Sequence, residues 1–177
     1  MPLDNPIRAA LTLGITASSI FAGSNILLAY VSVPVLLTPG TPTSVTLSQW
    51  QQTYNLGKAI GLPLIASTVL SYGYGIYRSR QTRIYRPGLP NWRLLAAGVA
   101  AIVAVPLFTV LFMEGRFGNV NGALARLNVE VNGRSSLEVT ENEISLVRGL
   151  CEQWATMCAI RAVLSLASSA LGIWACI

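Results

Sequence analysis

Arg161 is a charged residue in a part of the chain where a membrane protein has reason to avoid charge. It lies in the last apolar run, residues 149–177, whose only other charged residue is Glu152. An arginine at the centre of a membrane helix costs at least ~2.5–3.5 kcal/mol, so such residues usually face a partner or a wet cavity. A snorkelling anchor is the alternative, but Arg161 is about four turns from the C-terminus. We therefore predict that Arg161 lines a functional cavity inside the protein.

Tyr54 and Lys58 are a second pair with chemical potential. They are four residues apart, so a helix places both on one face. A lysine amine can act as a general base, and a phenol can donate a hydrogen bond to a developing oxyanion. Snorkelling of Lys58 to the membrane surface is the competing interpretation. We predict that both residues reach the same cavity as Arg161, and that Glu152 is the alternative base.

The sequence contains few of the usual ligands for a redox metal. Histidine is absent, and the three cysteines are Cys151, Cys158 and Cys176. On a helix, Cys151 and Cys158 are ~10.5 Å apart along the axis, which is beyond the reach of a disulfide. Haem, copper and non-haem iron sites would lack their common ligands. We therefore predict no metal site and no bound cofactor.

The composition indicates that lipid surrounds most of the chain. Of the 177 residues, 53% are apolar and 11% are charged, and the mean hydropathy is +0.55. A soluble domain carries ~25% charged residues. Residues 7–37, 55–77, 93–113 and 146–177 are long enough to cross ~30 Å of hydrocarbon. The sequence thus predicts an all-α fold, in which a four-helix transmembrane bundle forms a single integral membrane domain over residues 1–177.

The distribution of arginines predicts the orientation in the membrane. Five arginines and no acidic residue lie between spans two and three, at positions 78, 80, 83, 86 and 93. The positive-inside rule places this loop and both termini in the cytoplasm, with the other two loops in a lumen such as that of the endoplasmic reticulum. A nucleic-acid partner is not expected, because these arginines have no folded soluble surface around them.

Local signals predict the details of the loops and helix ends. Pro34, Pro39 and Pro42 are expected to end the first helix. Thr46 or Ser48 can cap a short helix that leads through Trp50 into the second span, with Trp50 as an interface anchor. Residues 121–131 favour a short lumenal helix, although a hairpin turning at 132–133 is the alternative. Thr140 and Glu143 form a capping box that starts the last helix.

Polar and small side chains recur at helical spacing in the first and last spans. Gly14, Ser18 and Ala22 form a small-residue track that permits close helix approach and a homo-oligomer. Asn25 follows Ser18 by seven residues. Its side chain either joins helices by a hydrogen bond across the bundle or contacts the substrate. In the last span a polar-aromatic stripe follows steps of three or four, at Cys151, Trp154, Cys158, Arg161 and Ser165.

Together, the motifs resemble those of the anthrone oxygenase-like family of small four-span membrane proteins, which are common in fungal natural-product pathways. The resemblance covers residues 14–172 and rests on the order and spacing of short motifs. These are Trp50-x-x-x-Tyr54-x-x-Gly57-Lys58, then Pro63, Pro106-x-x-Thr109-x-x-x-Met113, Asn119 with Asn121, and Trp154 seven residues before Arg161.

The resemblance implies a natural-product enzyme that oxygenates a lipophilic polyketide or phenolic intermediate without a redox cofactor. Deprotonation of an anthrone gives an electron-rich anion that reacts with dioxygen directly. The positions that match the family pattern are Tyr54, Lys58, Thr109, Asn119, Asn121, Trp154 and Arg161. Two positions depart from it, because Cys158 stands where the family tends to have asparagine, and Ser165 where a proline is usual. Both changes fall on the stripe that is expected to line the cavity.

Two other functions compete with oxygenation. A redox-neutral cyclase or isomerase could use Arg161 and Glu152 for acid–base catalysis on a terpenoid or polyketide, and the changed pocket residues suit it nearly as well. A non-catalytic membrane adaptor or small transporter is the third hypothesis. A proton-coupled transporter would need an embedded carboxylate, and Glu152 lies near the lumenal end of its span.

Overall fold

A computed structural model describes residues 5–81, 89–113, 119–133 and 139–177 of this protein, and these residues are almost entirely helical. The elements are α1 (Asn5–Leu27), a first π-helical segment (Leu28–Ser32), α2 (Val33–Leu36), α3 (Thr43–Gln81), α4 (Trp92–Phe108), a second π-helical segment (Thr109–Met113), α5 (Val120–Asn132) and α6 (Glu141–Trp174). The described ranges contain no strand. The predicted all-α class is therefore confirmed.

Four of the helical stretches are long and apolar enough to cross a membrane. They are Pro6–Leu36, Thr43–Gln81, Trp92–Met113 and Glu141–Trp174. The predicted four-helix membrane bundle is confirmed, and so is the short segment between the third and fourth long helices. At 39 residues, α3 is ~58 Å long, which exceeds the ~30 Å thickness of the hydrocarbon layer.

The first two helix ends differ from the sequence prediction. Pro34 lies inside α2 instead of ending the first helix, and a π-helical segment directly precedes it. The wider π turn changes the hydrogen-bond register just before a residue that has no N–H to donate. The helix expected to lead through Trp50 into the second span is present as part of α3, but it begins earlier than predicted, at Thr43. The Thr46 hydroxyl donates to the carbonyl of Leu36 at 3.1 Å, across the turn.

The helix between spans three and four is confirmed, and the hairpin alternative is wrong. α5 occupies Val120–Asn132, and the Asn119 side chain caps it by accepting a hydrogen bond from the Gly122 N–H at 3.1 Å. The capping box of α6 is also present. The Thr140 N–H donates to Glu143 Oε2 at 2.9 Å, and the Glu143 N–H donates to Thr140 Oγ1 at 3.3 Å.

The chain divides into two compact units. Unit 1 consists of three ranges, which are the residues up to Ser24, Gly61–Pro106 and Arg161–Ile177. Unit 2 consists of Asn25–Ile60 and Leu107–Ile160. Each of the four long helical stretches contributes one part to each unit.

Tyr72 is at the centre of unit 1, where parts of four helices pack together. Its side chain is fully buried, and its hydroxyl donates to the Ser168 carbonyl at 3.2 Å. A Cβ added at Gly14 would lie 2.7 Å from the ring, one at Gly98 would lie 3.0 Å from it, and one at Gly172 would overlap the hydroxyl. The helices α1, α4 and α6 can approach this ring because each presents a glycine to it.

Serine hydroxyls join the helices of unit 1. The hydroxyls of Ser18 and Ser169 are 2.8 Å apart, and the Ser168 hydroxyl donates to the Gly98 carbonyl at 2.8 Å. Such interhelical hydrogen bonds are worth ~0.6–2 kcal/mol in a membrane. The small-residue track of α1 is thus used inside the chain, where Gly14 contacts Tyr72 and Ser18 contacts α6.

The arginines at one end of unit 1 lie around an aromatic residue. The guanidinium groups of Arg80 and Arg93 are 5.1 Å and 5.7 Å from the ring centroid of Trp92. Trp92 itself is exposed. This grouping of basic and aromatic side chains is typical of a membrane–water interface. Arg83 and Arg86, which contributed to the predicted topology, lie outside the described residues.

Candidate active site

In unit 2, a series of aromatic side chains in contact with one another leads to Lys58, which is the only lysine of the sequence. On α3, the rings of Trp50 and Tyr54 are stacked, with centroids 5.4 Å apart and planes 9° from parallel. Lys58 Nζ lies 4.3 Å from the centroid of the Tyr54 ring, which is a cation–π contact. The spacing of four residues explains this order, since it places successive side chains one above another on a helix.

Trp154 of α6 adds a residue from a second helix to this series. Its ring meets that of Trp50 nearly edge-on, with centroids 6.3 Å apart and an angle of 80° between planes. We refer to Trp154, Trp50, Tyr54 and Lys58 as the aromatic ladder. Edge-to-face pairs of this kind add ~0.5–1.5 kcal/mol beyond the burial of their area.

The ladder runs from the core of unit 2 outwards. Trp50 is 0% exposed and Trp154 is 2% exposed, whereas Tyr54 is half-buried and Lys58 is exposed. The side chains packed in the same core are mainly aliphatic or sulfur-containing, and they include Met113, Leu124, Cys151 and Cys158. The ladder therefore joins an apolar interior to a cationic group at the surface of the unit.

Two indole N–H groups in this core are buried donors without an acceptor among the described residues. Among the residues that the structure describes, neither Trp50 Nε1 nor Trp154 Nε1 has a hydrogen-bond partner, and both atoms are buried. A buried donor without an acceptor costs ~1–3 kcal/mol. Because most buried polar groups in proteins are paired, such exceptions call for an explanation.

The polar-aromatic stripe predicted on α6 faces inwards. Cys151, Cys158 and Ser165 are fully buried, as is Trp154. Arg161 is half-buried on the same helix face, in the part of α6 that belongs to unit 1. Its Nε atom is removed from solvent, and its carbonyl accepts a hydrogen bond from the Ser165 hydroxyl at 2.8 Å.

The structure does not bring Glu152 to the aromatic ladder. Its side chain is 65% exposed and lies 3.9 Å from Arg148 Nε, one turn earlier on α6. The reason is helical periodicity, since two residues turn the helix by about 200° and so separate Glu152 from the face of Trp154. An exposed pair of this kind contributes at most ~1 kcal/mol to stability.

The other polar residues predicted from the sequence fall into two groups. Asn25 and Asn121 are buried at 3% and 4% exposure, and Thr109 is half-buried in the second π-helical segment. All three belong to unit 2, as the ladder does. Asn119 differs from them, because it is exposed and its side-chain oxygen is engaged in capping α5.

Two open clefts lie elsewhere on unit 2. One has a volume of about 430 Å³ and includes Thr38, Thr46 and Arg148 in its wall. The other has a volume of about 510 Å³ and includes Ser44, Val131 and Asn132. Neither is lined by a site residue predicted from the sequence.

Sequence reasoning missed the role of Trp50. It predicted an interface anchor, but the structure buries Trp50 completely and places it between Tyr54 and Trp154. The available signal was its position four residues before Tyr54 and eight before Lys58, which puts all three on one helix face.

The chain is similar to fungal enzymes over most of its length. It is 29% identical over 173 residues to anthrone oxygenase tpcL of Aspergillus fumigatus, covering 98% of this chain and 96% of the relative. It is 28% identical over 159 residues to monooxygenase hypC of Dothistroma septosporum, with coverages of 90% and 78%. A third relative is anthrone oxygenase dmxR16 of Cryptosporiopsis sp., at 27% identity over 166 residues and coverages of 93% and 84%.

No solved structure matches the chain. The family model described as anthrone oxygenase matches residues 50–171. That match begins at Trp50 and contains the whole aromatic ladder, the second π-helical segment, α5 and Arg161. The chain therefore belongs to the anthrone oxygenase family.

Proposed function

We propose that this protein is a membrane-embedded oxygenase of natural-product biosynthesis that acts on a lipophilic polycyclic phenol of the anthrone class. Membership of the family and the names of its fungal relatives support the reaction class. The observation that carries the proposal is the aromatic ladder, which sets a cation beside stacked rings. Flat aromatic molecules are recognised by such rings, and a cation favours the anion that they form on losing a proton.

The proposed reaction replaces two hydrogens on one ring carbon by a carbonyl oxygen. A base removes a proton from the acidic CH₂ group, and the resulting anion gives an electron to dioxygen. Combination of the two radicals forms a carbon–oxygen bond, and protonation gives a hydroperoxide. Loss of water from this hydroperoxide leaves the quinone. Overall, one substrate molecule and one dioxygen molecule give one quinone and one water, so no other reductant enters the balance.

Lys58 is the residue we assign as the base. As the neutral amine it can accept the proton, and as the ammonium that results it can stabilise the substrate anion and the reduced oxygen. Its position over the Tyr54 ring places it at the outer end of the ladder. Tyr54 has a hydroxyl that can donate to the developing oxyanion, which is the role we propose for it.

The remaining predicted residues would bind and orient the substrate. Trp154 and Cys158 would form part of an apolar wall, and the sequence-based prediction that Arg161 is needed for catalysis is kept as part of the proposal. Asn25, Thr109 and Asn121 carry groups that can bond phenolic hydroxyls. Asn119 would act indirectly, since its cap fixes the start of α5, on which Asn121 lies. The proposal includes no cofactor, in keeping with a sequence that has no histidine.

We further propose that the protein lies in the endoplasmic reticulum membrane with both termini in the cytoplasm. The support for this orientation is the positive-inside rule, applied to the arginine-rich stretch between the second and third spans. Arg80 and Arg93, which lie beside Trp92, belong to that stretch. A lipophilic substrate would reach the site from the bilayer, in which it concentrates.

The experiment that tests the proposed reaction supplies an anthrone to membranes that contain the protein. The expected product has gained one oxygen and lost two hydrogens relative to the substrate. Anthrone anions oxidise slowly in air, so membranes with the Lys58→Met variant set the background. A product of unchanged mass would instead support the redox-neutral cyclase or isomerase. A rate equal to the background with a panel of anthrones would contradict the proposal.

A further inference from the structure

The two buried indole N–H groups of unit 2 are the feature that the proposed roles leave unused. Trp50 Nε1 and Trp154 Nε1 have no acceptor among the described residues. They belong to α3 and α6, and their rings are in edge-to-face contact. An indole N–H can only donate, so a ligand that satisfies it must bring an acceptor.

The surroundings of the two donors narrow the class of ligand. The rings lie in a core of aliphatic and sulfur-containing side chains such as Leu124, Met113 and Cys158. Such surroundings favour an acceptor carried on an apolar molecule. The two ring centroids are only 6.3 Å apart, so a single molecule of fused rings is large enough to contact both indoles.

We propose that Trp50 and Trp154 donate their indole N–H groups to the carbonyl oxygen of an aromatic ketone bound between α3 and α6. This inference rests on the proposed function and assigns two residues to it. When the substrate loses its ring proton, negative charge moves onto that oxygen, and donors already in place stabilise it. Trp50 and Trp154 would then form the oxyanion hole together with the Tyr54 hydroxyl.

Access to Trp50 requires one side chain to move. Tyr54 is half-buried and lies parallel to the Trp50 ring. A change in the side-chain conformation of Tyr54 would open the outer side of the Trp50 indole to a ligand. Tyr54 is therefore the side chain that we expect to move when a ketone binds, with its hydroxyl still able to donate to the ketone oxygen.

The test observes the two indole N–H groups directly. The sequence has four tryptophans, and Trp92 and Trp174 are exposed and outside the ladder. In a Trp92→Phe, Trp174→Phe protein labelled with nitrogen-15, the remaining indole signals belong to Trp50 and Trp154. Anthraquinone is the ketone probe, and anthracene is a control that has the same ring system and no oxygen.

The proposal predicts that both indole proton signals move downfield with anthraquinone and that neither does with anthracene. Signals already in the hydrogen-bonded range without ligand, and unchanged by it, would show that a buried water or another group is the acceptor. That result would overturn the proposal. So would equal shifts with both probes, or the absence of any anthraquinone binding.

Kinetics of single substitutions provide a second readout. Trp50→Phe and Trp154→Phe should each lower kcat on an anthrone by about 100-fold or more, with a smaller effect on KM. Trp92→Phe should have no effect on kcat. If Trp50→Phe fails to fold, replacement of Trp50 by benzothienylalanine keeps the ring shape and removes only the N–H. An unchanged kcat in that protein would overturn the proposal.

The proposed function and the ketone site can fail separately. If the unmodified protein does not oxygenate any anthrone but its indole signals move with anthraquinone, the proposed function fails and the ketone site stands. If it oxygenates anthrones while the indole signals stay fixed, the function stands and the assignment of Trp50 and Trp154 fails.

Discussion

The phenol ring of Tyr54 lies flat on the indole ring of Trp50, with centroids 5.4 Å apart and planes 9° from parallel. One turn further along α3, Lys58 Nζ lies 4.3 Å from the same phenol ring. A helix repeat of four residues thus produces an ordered series of an apolar ring, a hydroxyl-bearing ring and a cation. This series contains both the groups that could bind a flat aromatic molecule and the charge that could activate it.

Replacing Lys58 should remove the base from this series. We expect Lys58→Met and Lys58→Arg each to lower kcat by at least about 100-fold, because arginine keeps the charge but does not readily give up its proton. The measurement is the rate of quinone formation in proteoliposomes. Gln52→Met, an exposed change on the same helix, is the matched control. Full activity in Lys58→Met would remove Lys58 from the mechanism, and normal activity in Lys58→Arg would indicate a purely electrostatic role.

Arg161 should be needed for turnover and not for folding. Arg161→Leu is expected to lower activity by about 100-fold or more while the protein stays monodisperse, because removal of an embedded charge can be neutral or stabilising. Arg148→Leu is the comparison, since Arg148 is exposed on the same helix. We would purify both variants, compare their monodispersity, and measure their rates of quinone formation. Wild-type activity in Arg161→Leu would exclude Arg161 from the mechanism.

The glycines around Tyr72 lead to a prediction about stability alone. Gly172→Ala should lower the free energy of unfolding by about 1–3 kcal/mol, because the added Cβ would overlap the Tyr72 hydroxyl. Gly73→Ala is the control, since a Cβ at Gly73 meets nothing within 4 Å, and the change should be neutral or slightly stabilising in a helix. Unfolding in detergent by heat or by SDS titration measures the difference. Equal stabilities of the two variants would contradict the packing described for unit 1.

Cys176 provides a test of the proposed orientation without any introduced residue. It is exposed, whereas Cys151 and Cys158 are buried. A membrane-impermeant maleimide added to the cytoplasmic side of sealed microsomes should therefore label Cys176 alone. Protection until the membrane is opened would reverse the orientation of the C-terminus.

The pH dependence of this labelling follows from the state of the thiol. Although part of the Cys176 side chain is exposed, its partial burial raises the pKa of the thiol above its ordinary value, and the thiolate is the reactive form. The labelling rate should keep rising with pH beyond the point where a small-molecule thiol levels off. A rate that levels off together with the small-molecule thiol would contradict the raised pKa.

The membrane fold was predictable because lipid leaves the backbone few choices. A long apolar segment must be helical in order to satisfy its own hydrogen bonds, and four such segments therefore implied four helices. The capping box at Thr140 and Glu143 was equally readable, since both partners are close in sequence. The inward-facing stripe of α6 followed from its steps of three and four residues.

Features that depend on which neighbour a side chain meets were harder to predict. Trp50 looked like an interface anchor because tryptophan suits both an interface and a core, and only the tertiary packing decides between them. Pro34 looked like a helix end because a π-helical segment, which accommodates it, has no sequence signature of its own. The outward direction of Glu152 was predictable from its spacing to Trp154, because two residues turn a helix by about 200°.

The central claim is that the chain itself catalyses the transfer of oxygen from dioxygen to an aromatic ring carbon at the aromatic ladder. The most direct measurement supplies isotopically labelled dioxygen and an anthrone to the purified protein in lipid, in the presence of a metal chelator. The account predicts that the new quinone carbonyl carries the label, at a rate well above that of Lys58→Met and unaffected by the chelator. Unlabelled quinone, loss of activity with the chelator, or equal rates in the two proteins would contradict it.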